Sequence, residues 1–163
     1  MKPSLRSSFI IGLLLLTAST FALDKSISES YVKVQAAMLQ KNLAELKQLW
    51  LTYVDPSCVA ERKGKKTLYK ELSSQIEPQM KLVKKVTSCR IQILESKVKG
   101  GKIICNVKTT QSFIIAVEGK DSVFDEVSIV EDSWQKIGDK YKIVGIKTIK
   151  ETIKQDGRVI QAS

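Results

Sequence analysis

From residue 89 to about residue 153 the apolar side chains recur at every second position, in runs separated by glycine-bearing turns. That period is the repeat of a strand with one buried face, so a large share of the chain is committed to sheet before any other feature is weighed. Cys89, Ile91 and Ile93 alternate with Arg90 and Gln92, and Ile103, Cys105, Val107 and Thr109 alternate with Asn106 and Lys108, across a Lys99-Gly100-Gly101 turn. A three-residue loop there sets Ile93 opposite Val107 and keeps both apolar sets on one side, whereas a two-residue loop would mix the faces. In that register Cys89 lies near Gln111 and Cys105 near Glu95, too far apart to bridge. The strand from Ile103 is expected to run on to Val117 and the segment 118–121 to turn. Residues 124–136 should then pair through Gly138-Asp139 with a strand from Lys140 to about Ile153.

Upstream the period is helical. Ser26-Ile27-Ser28-Glu29 has the form of a capping box, and Ile27, Tyr31, Val34 and Met38 form the stripe of an amphipathic helix over about 27–40. Asn42, with Glu45 three residues on, suits the cap of a second helix that carries Leu43, Leu46, Leu49 and Trp50 on one face. Tyr53-Val54-Asp55-Pro56 ends it, leaving Cys58-Val59-Ala60 at most a short strand. Leu68, Leu72 and Ile76 predict a third helix, closed by Glu77-Pro78. Helices followed by long antiparallel strands, without repeats or linkers, give one α+β domain over residues 23–163.

Residues 1–22 read as a secretory leader. Lys2 and Arg6 precede an apolar run from Phe9 to Leu16, shorter than a membrane span, and Thr20 and Ala22 occupy the −3 and −1 positions of a cleavage site. The mature chain is therefore expected to begin at Leu23 and to be periplasmic or secreted. Its three cysteines allow one bridge at most, so no disulfide framework supports it.

The chain has no histidine, which excludes imidazole bases, Ser-His and Cys-His pairs and mixed His/Cys zinc sites. No metal or cofactor is expected, because the cysteines are isolated and Gly100-Gly101 belongs to a turn. With 27 Lys and Arg against 17 Asp and Glu, the formal charge is +10. The surplus gathers at Arg62 to Lys66, at Lys81, Lys84 and Lys85, and along Lys140, Lys142, Lys147, Lys150 and Lys154. It suits a solvated surface, or peripheral contact with an anionic envelope surface, better than nucleic acid, for which no aromatic-basic reading motif is present.

The succession of helix, Asn-capped helix, Asp-Pro break, helix and hairpins closes on Asp132-Ser133-Trp134-Gln135-Lys136-Ile137-Gly138-Asp139-Lys140-Tyr141-Lys142-Ile143. Over about 24–158 this resembles the nuclear transport factor 2-like superfamily, especially its small exported SnoaL-like members. Tyr141 stands where many relatives carry a second tryptophan, and Asn42 where aspartate is the commoner cap. The resemblance implies a cone: a curved antiparallel sheet wrapped around three N-terminal helices, with a pocket at the open end. It does not imply one activity, since such folds serve isomerases, dehydratases, cyclases, ligand binders and association domains.

Within that pocket the candidate residues are Tyr31, Trp50, Tyr69, Asp132 and Trp134. Asp132 and Trp134 share a face of their strand, and pairing through Gly138-Asp139 sets Trp134 opposite Ile143 on the helix-covered side. A carboxylate beside an indole in an apolar pocket can acquire a pKa useful for proton transfer; the plainer reading is that Asp132 is paired or hydrogen-bonded to fix the hairpin. Two functions stay open. The favoured one is an exported non-catalytic binding or association module for a small apolar or anionic ligand or a protein partner, and the other is a cofactor-free isomerase or lyase with Asp132 as general base. A homodimer is also expected, on the ground that Val144 and Ile146 face away from Ile143 and leave the outer sheet face apolar.

Overall fold

The computed structural model describes residues 23–163; the expected leader and its cleavage site lie outside the described residues. Helix α1 spans Lys25–Leu39 and α2 Leu43–Tyr53. Asn42 caps α2 through its side-chain oxygen, which accepts from the Glu45 amide at 3.1 Å. The cap of α1 is Asp24 instead of a Ser26 to Glu29 box. One carboxylate oxygen of Asp24 accepts from both the amide and the hydroxyl of Ser26, at 2.8 and 2.6 Å, which places Ser26 inside the first turn.

The segment after α2 is more ordered than its proline suggests. Strand β1 covers Val54–Arg62 and is joined by a tight turn to β2, Lys65–Leu68. β1 pairs with a later strand at Val54 and again from Val59, so Pro56 falls in the irregular stretch between, where no ladder amide is required. Helix α3, Tyr69–Leu82, likewise runs through Pro78 instead of stopping there. Its apolar stripe is Leu72, Ile76 and Met80, with Met80 buried, whereas Leu68 lies before the helix and is exposed. Glu77 receives Lys47 of α2 and Lys81 of its own helix, and these two ammonium groups hold its carboxyl down at about 2. The cross-helix pair ties α3 to α2 at the residue just before the proline.

Strands β3 (Val83–Lys99), β4 (Lys102–Val117), β5 (Lys120–Ile137) and β6 (Lys140–Gln155) form the meander read from the sequence, and a short β7 (Arg158–Ala162) follows. The strand order is β2-β1-β6-β5-β4-β3, with β7 also on β6. Because β1 runs parallel to β6, the sheet is mixed and not wholly antiparallel as expected. The architecture is α+β: three helices, with the β1-β2 hairpin between the second and third, against a curved, open sheet.

Bulges decide which residues face the helices. Lys99 pairs with Lys102, so the β3-β4 turn has two residues, Gly100 and Gly101, both with positive φ. That turn alone would mix the faces. The parity is restored at Leu94, an extra residue in β3 that leaves Ile93 opposite Val107 as expected, and shifts Cys105 onto Ser96 in place of Glu95. Further bulges at Lys84 and Thr87 keep Val83, Val86 and Cys89 on the same face despite a spacing of three. All three cysteines are free and buried.

On β6 the extra residues are Val144 and Ile149, and Val144 is the one beneath the helices. Trp134 pairs with Ile143 as expected, but Ile146 pairs with Asp132 and turns inward beside Ile143. The expected outer face of Val144 with Ile146 is therefore not formed, and the argument it supplied for a dimer falls with it.

Candidate functional site

The stripe on α1 explains the site. Ile27 is fully buried, while Tyr31, Val34 and Met38, farther along the same stripe, are only half-buried, because they border a cavity of about 370 Å³. Leu46, Leu49 and Trp50 of α2 and Ile76 and Met80 of α3 close it from above. The sheet supplies the floor, with Ile91 on β3, Val107 and Thr109 on β4, Val130, Asp132 and Trp134 on β5, and Ile143 and Ile146 on β6.

A chain of hydrogen bonds crosses from helix to sheet at one end. The Trp134 indole Nε1–H donates to the Tyr31 hydroxyl oxygen at 2.9 Å, and that hydroxyl donates to Asp132 Oδ2 at 2.7 Å. The rings of Tyr31 and Trp134 meet edge to face, 5.7 Å between centroids, and Tyr53 meets the same indole from the end of α2 at 6.4 Å. The partner of Asp132 is thus a helix 101 residues away in sequence, not its own hairpin.

The electrostatics follow from burial. Asp132 is 5% exposed, and no lysine or arginine pairs with it among the described residues. Loss of hydration pushes its carboxyl up to about 6, against a smaller opposite pull from the Tyr31 hydrogen bond. Burial also drives the Tyr31 hydroxyl far above its ordinary range, helped by the neighbouring carboxylate, so Tyr31 stays protonated and remains a donor. The thiols of Cys58 and Cys105 rise to about 11 through burial first and the charge of Asp132 second; they are small packed groups and poor nucleophiles.

One polar atom of a wall residue is left over, shielded from the cavity itself. Trp50 Nε1 is buried without a hydrogen-bond partner among the described residues. Its ring lies against Tyr69, 5.8 Å between centroids. Tyr69 packs behind Trp50 in the core and does not border the cavity, unlike Tyr31, Trp50, Asp132 and Trp134. Sequence reasoning missed Val34, Met38 and Met80 as wall residues because a helical stripe facing a cavity has the same spacing as one facing a core. It missed Ile146 because the Val144 bulge inverts the strand's parity.

The arrangement offers a largely apolar chamber with an acceptor of unused capacity at Asp132. No lysine or arginine borders it among the described residues. An anionic ligand would meet a carboxylate there, so the chamber suits a neutral molecule.

No protein-family model matches the sequence, and no curated protein matches it. Solved structures do resemble it. A hexachlorocyclohexane dehydrochlorinase (LinA) Type2 superposes with a TM-score of 0.60 at 8% identity, over 84% of this chain and 84% of the other. A nuclear transport factor 2 (NTF2-like) superfamily protein from Salmonella enterica serovar Typhimurium gives 0.55 at 12% identity, over 76% and 87%. A putative scytalone dehydratase from Novosphingobium aromaticivorans gives 0.53 at 11%, over 84% and 83%. Identities this low establish shared architecture, and the chemistry must be argued from the residues present.

Proposed function

The chain has the nuclear transport factor 2-like fold, and from that premise we propose that it is a non-catalytic binding protein for a small neutral apolar ligand. The observation that carries this reading is a largely apolar chamber whose wall holds the buried Asp132 carboxylate with a single donor, Tyr31. A hydrogen bond to a buried charged acceptor contributes about 1.5–3 kcal/mol, and a ligand donor would supply one to Asp132. The fixed Tyr31 hydroxyl supports the same reading, since it is engaged on both sides and unavailable to a reacting group.

The test uses N-phenyl-1-naphthylamine, a neutral fluorophore with one N–H donor. Saturable one-to-one binding with quenching of tryptophan emission is expected, abolished by Val130→Trp, which fills the chamber. Absence of saturable binding to folded wild-type protein would reject the proposal.

A second reading has its own observation: a carboxyl raised to about 6, facing a cavity, is poised to accept a proton near neutral pH. Two of the similar structures are named as a dehydrochlorinase and a putative dehydratase. Against it, proton abstraction requires a stabilised oxyanion as well as a base, and the Tyr31 hydroxyl and Trp134 N–H beside Asp132 are already engaged. Asp132-dependent exchange of α-hydrogens of apolar ketones in deuterated water, followed by NMR, would support it.

We also propose export, from the leader-like residues 1–22. A mature N-terminus at Leu23 is expected on sequencing, and a soluble cytoplasmic form retaining residues 1–22 would reject it.

A further inference from the structure

We propose that the chamber beside Asp132 continues along the sheet into a second one, and that together they take a single unbranched amphiphile with a neutral, hydrogen-bond-donating head. This rests on the binding reading and specifies its ligand class. A second cavity, of about 280 Å³, adjoins the first, and Met38, Gln79 and Met80 wall both. The partition is thus made largely of methionine, the apolar side chain that changes shape most readily.

The floor beneath the two is continuous. β4 and β5 pair without a bulge from Ile103 to Val117, so the odd-numbered residues of β4 all face the helices. Val107 and Thr109 lie under the first chamber, and Gln111, Phe113 and Ile115 under the second. From Val107 to Ile115 the strand advances roughly 26 Å at the usual rise per residue. One extended hydrocarbon chain fits such a span better than a compact ring system. On β3 the bulges perform the same service, bringing Val86 and Val83 into line with Ile91.

Polarity sets the direction. At the Asp132 end the carboxylate has one donor only, so it can accept another. At the far end Phe113, Ile115, Val83 and Val86 dominate, and the one carboxylate, Glu126, already accepts from the Gln111 amide at 2.9 Å. A hydroxyl head can donate to Asp132 while its tail passes Met38 and Met80. Among the described residues no lysine or arginine lines either cavity, so a fatty acid anion finds no counter-charge there.

The experiment is displacement of N-phenyl-1-naphthylamine from the full mature chain by 1-octanol, 1-dodecanol and 1-tetradecanol, with dodecanoate for comparison, at pH 8. Affinity should rise about fourfold for each added methylene that is buried. In wild type the gain should persist to tetradecanol, and in Ile115→Trp, which plugs the far end, it should stop at a shorter chain with octanol unaffected. Dodecanoate should bind at least tenfold more weakly than dodecanol. A gain that ends at the same length in both proteins would overturn the continuous channel, and dodecanoate binding as tightly as dodecanol would overturn the neutral head. Should Ile115→Trp fail to fold, a tetradecanol bearing a terminal diazirine decides on wild type: crosslinks to Phe113 or Val86 support the channel, and crosslinks confined to the first chamber reject it. Loss of all fluorophore binding would instead remove the underlying binding reading, so the two failures are distinguishable.

Discussion

Two carboxylates are buried on the helix-facing side of neighbouring strands, Asp132 on β5 and Glu151 on β6, and they are satisfied in different ways. Glu151 lies at the sheet edge where β1 ends and β7 begins. Its carboxylate receives the Arg62 guanidinium and the Gln161 amide, and its backbone exchanges hydrogen bonds of 3.0 and 2.9 Å with Ser163. Asp132 lies in the middle of the sheet with one hydroxyl for company. Glu151 therefore ties two chain segments together, with its acceptor capacity used within the fold. Asp132 ties α1 to β5 with part of its capacity, and the remainder faces a cavity. A buried acid that has gathered a cation and an amide reads as structural; one left under-satisfied beside an apolar chamber is a candidate site.

The comparison is broken most severely by Tyr31→Phe. Losing that hydroxyl strands both the Asp132 carboxylate and the Trp134 N–H, so a loss of about 3–4 kcal/mol is expected at pH 8. Denaturant unfolding should find a smaller loss near pH 4, where the carboxyl is protonated. An equal loss at both pH values would show that ring packing, not the hydroxyl, was removed.

Next in size is Asp132→Asn, and its sign should be opposite. The folded carboxyl titrates at about 6, above the ordinary 3.8, so its contribution to stability is complete below about pH 3.8 and lost as pH rises through 6. At 1.36 kcal/mol per pKa unit the loss is about 3 kcal/mol. Asparagine keeps an acceptor for Tyr31 and cannot ionise. The variant should therefore be more stable than wild type at pH 8, by about 2 kcal/mol, and should lack the decline between pH 4 and 7. Thermal melts across that range check it, and a less stable variant at pH 8 would reverse the assignment.

Arg62→Ala tests the other acid. Arg62 is half exposed, so solvent screens much of the pair, and a loss of about 1–2 kcal/mol is expected. Hydrogen exchange should locate the weakening at β7, whose Gln161 shares the same carboxylate. The smallest effect belongs to Trp50→Phe. Its lost N–H had no partner, so relief of about 1–3 kcal/mol of unmet desolvation should offset the packing lost with the smaller ring, and denaturant unfolding should find a net change of no more than about 0.5 kcal/mol.

The sequence by itself determined whatever short-range physics encodes. The Asn42 cap, the helical stripe through Tyr31, Val34 and Met38, and the period-two strands follow from neighbours a few residues apart. So does the placement of Asp132 and Trp134 on one face with Trp134 across from Ile143, because a two-residue turn at Gly138-Asp139 fixes that register locally.

Only the tertiary structure decided the rest. The bulges at Leu94 and Val144 leave no mark in hydrophobic periodicity, yet each inverts a face and chooses which residues line the cavity. β1 lengthened through Pro56 and β7 formed because β6 presented an edge to pair with, and edges do not exist until a sheet does. The bond from Tyr31 to Asp132 spans 101 residues, and no local pattern specifies it. Whether a stripe of large apolar residues meets a core or borders a chamber depends on how closely the opposite layer approaches, and that distance is a property of the assembled fold.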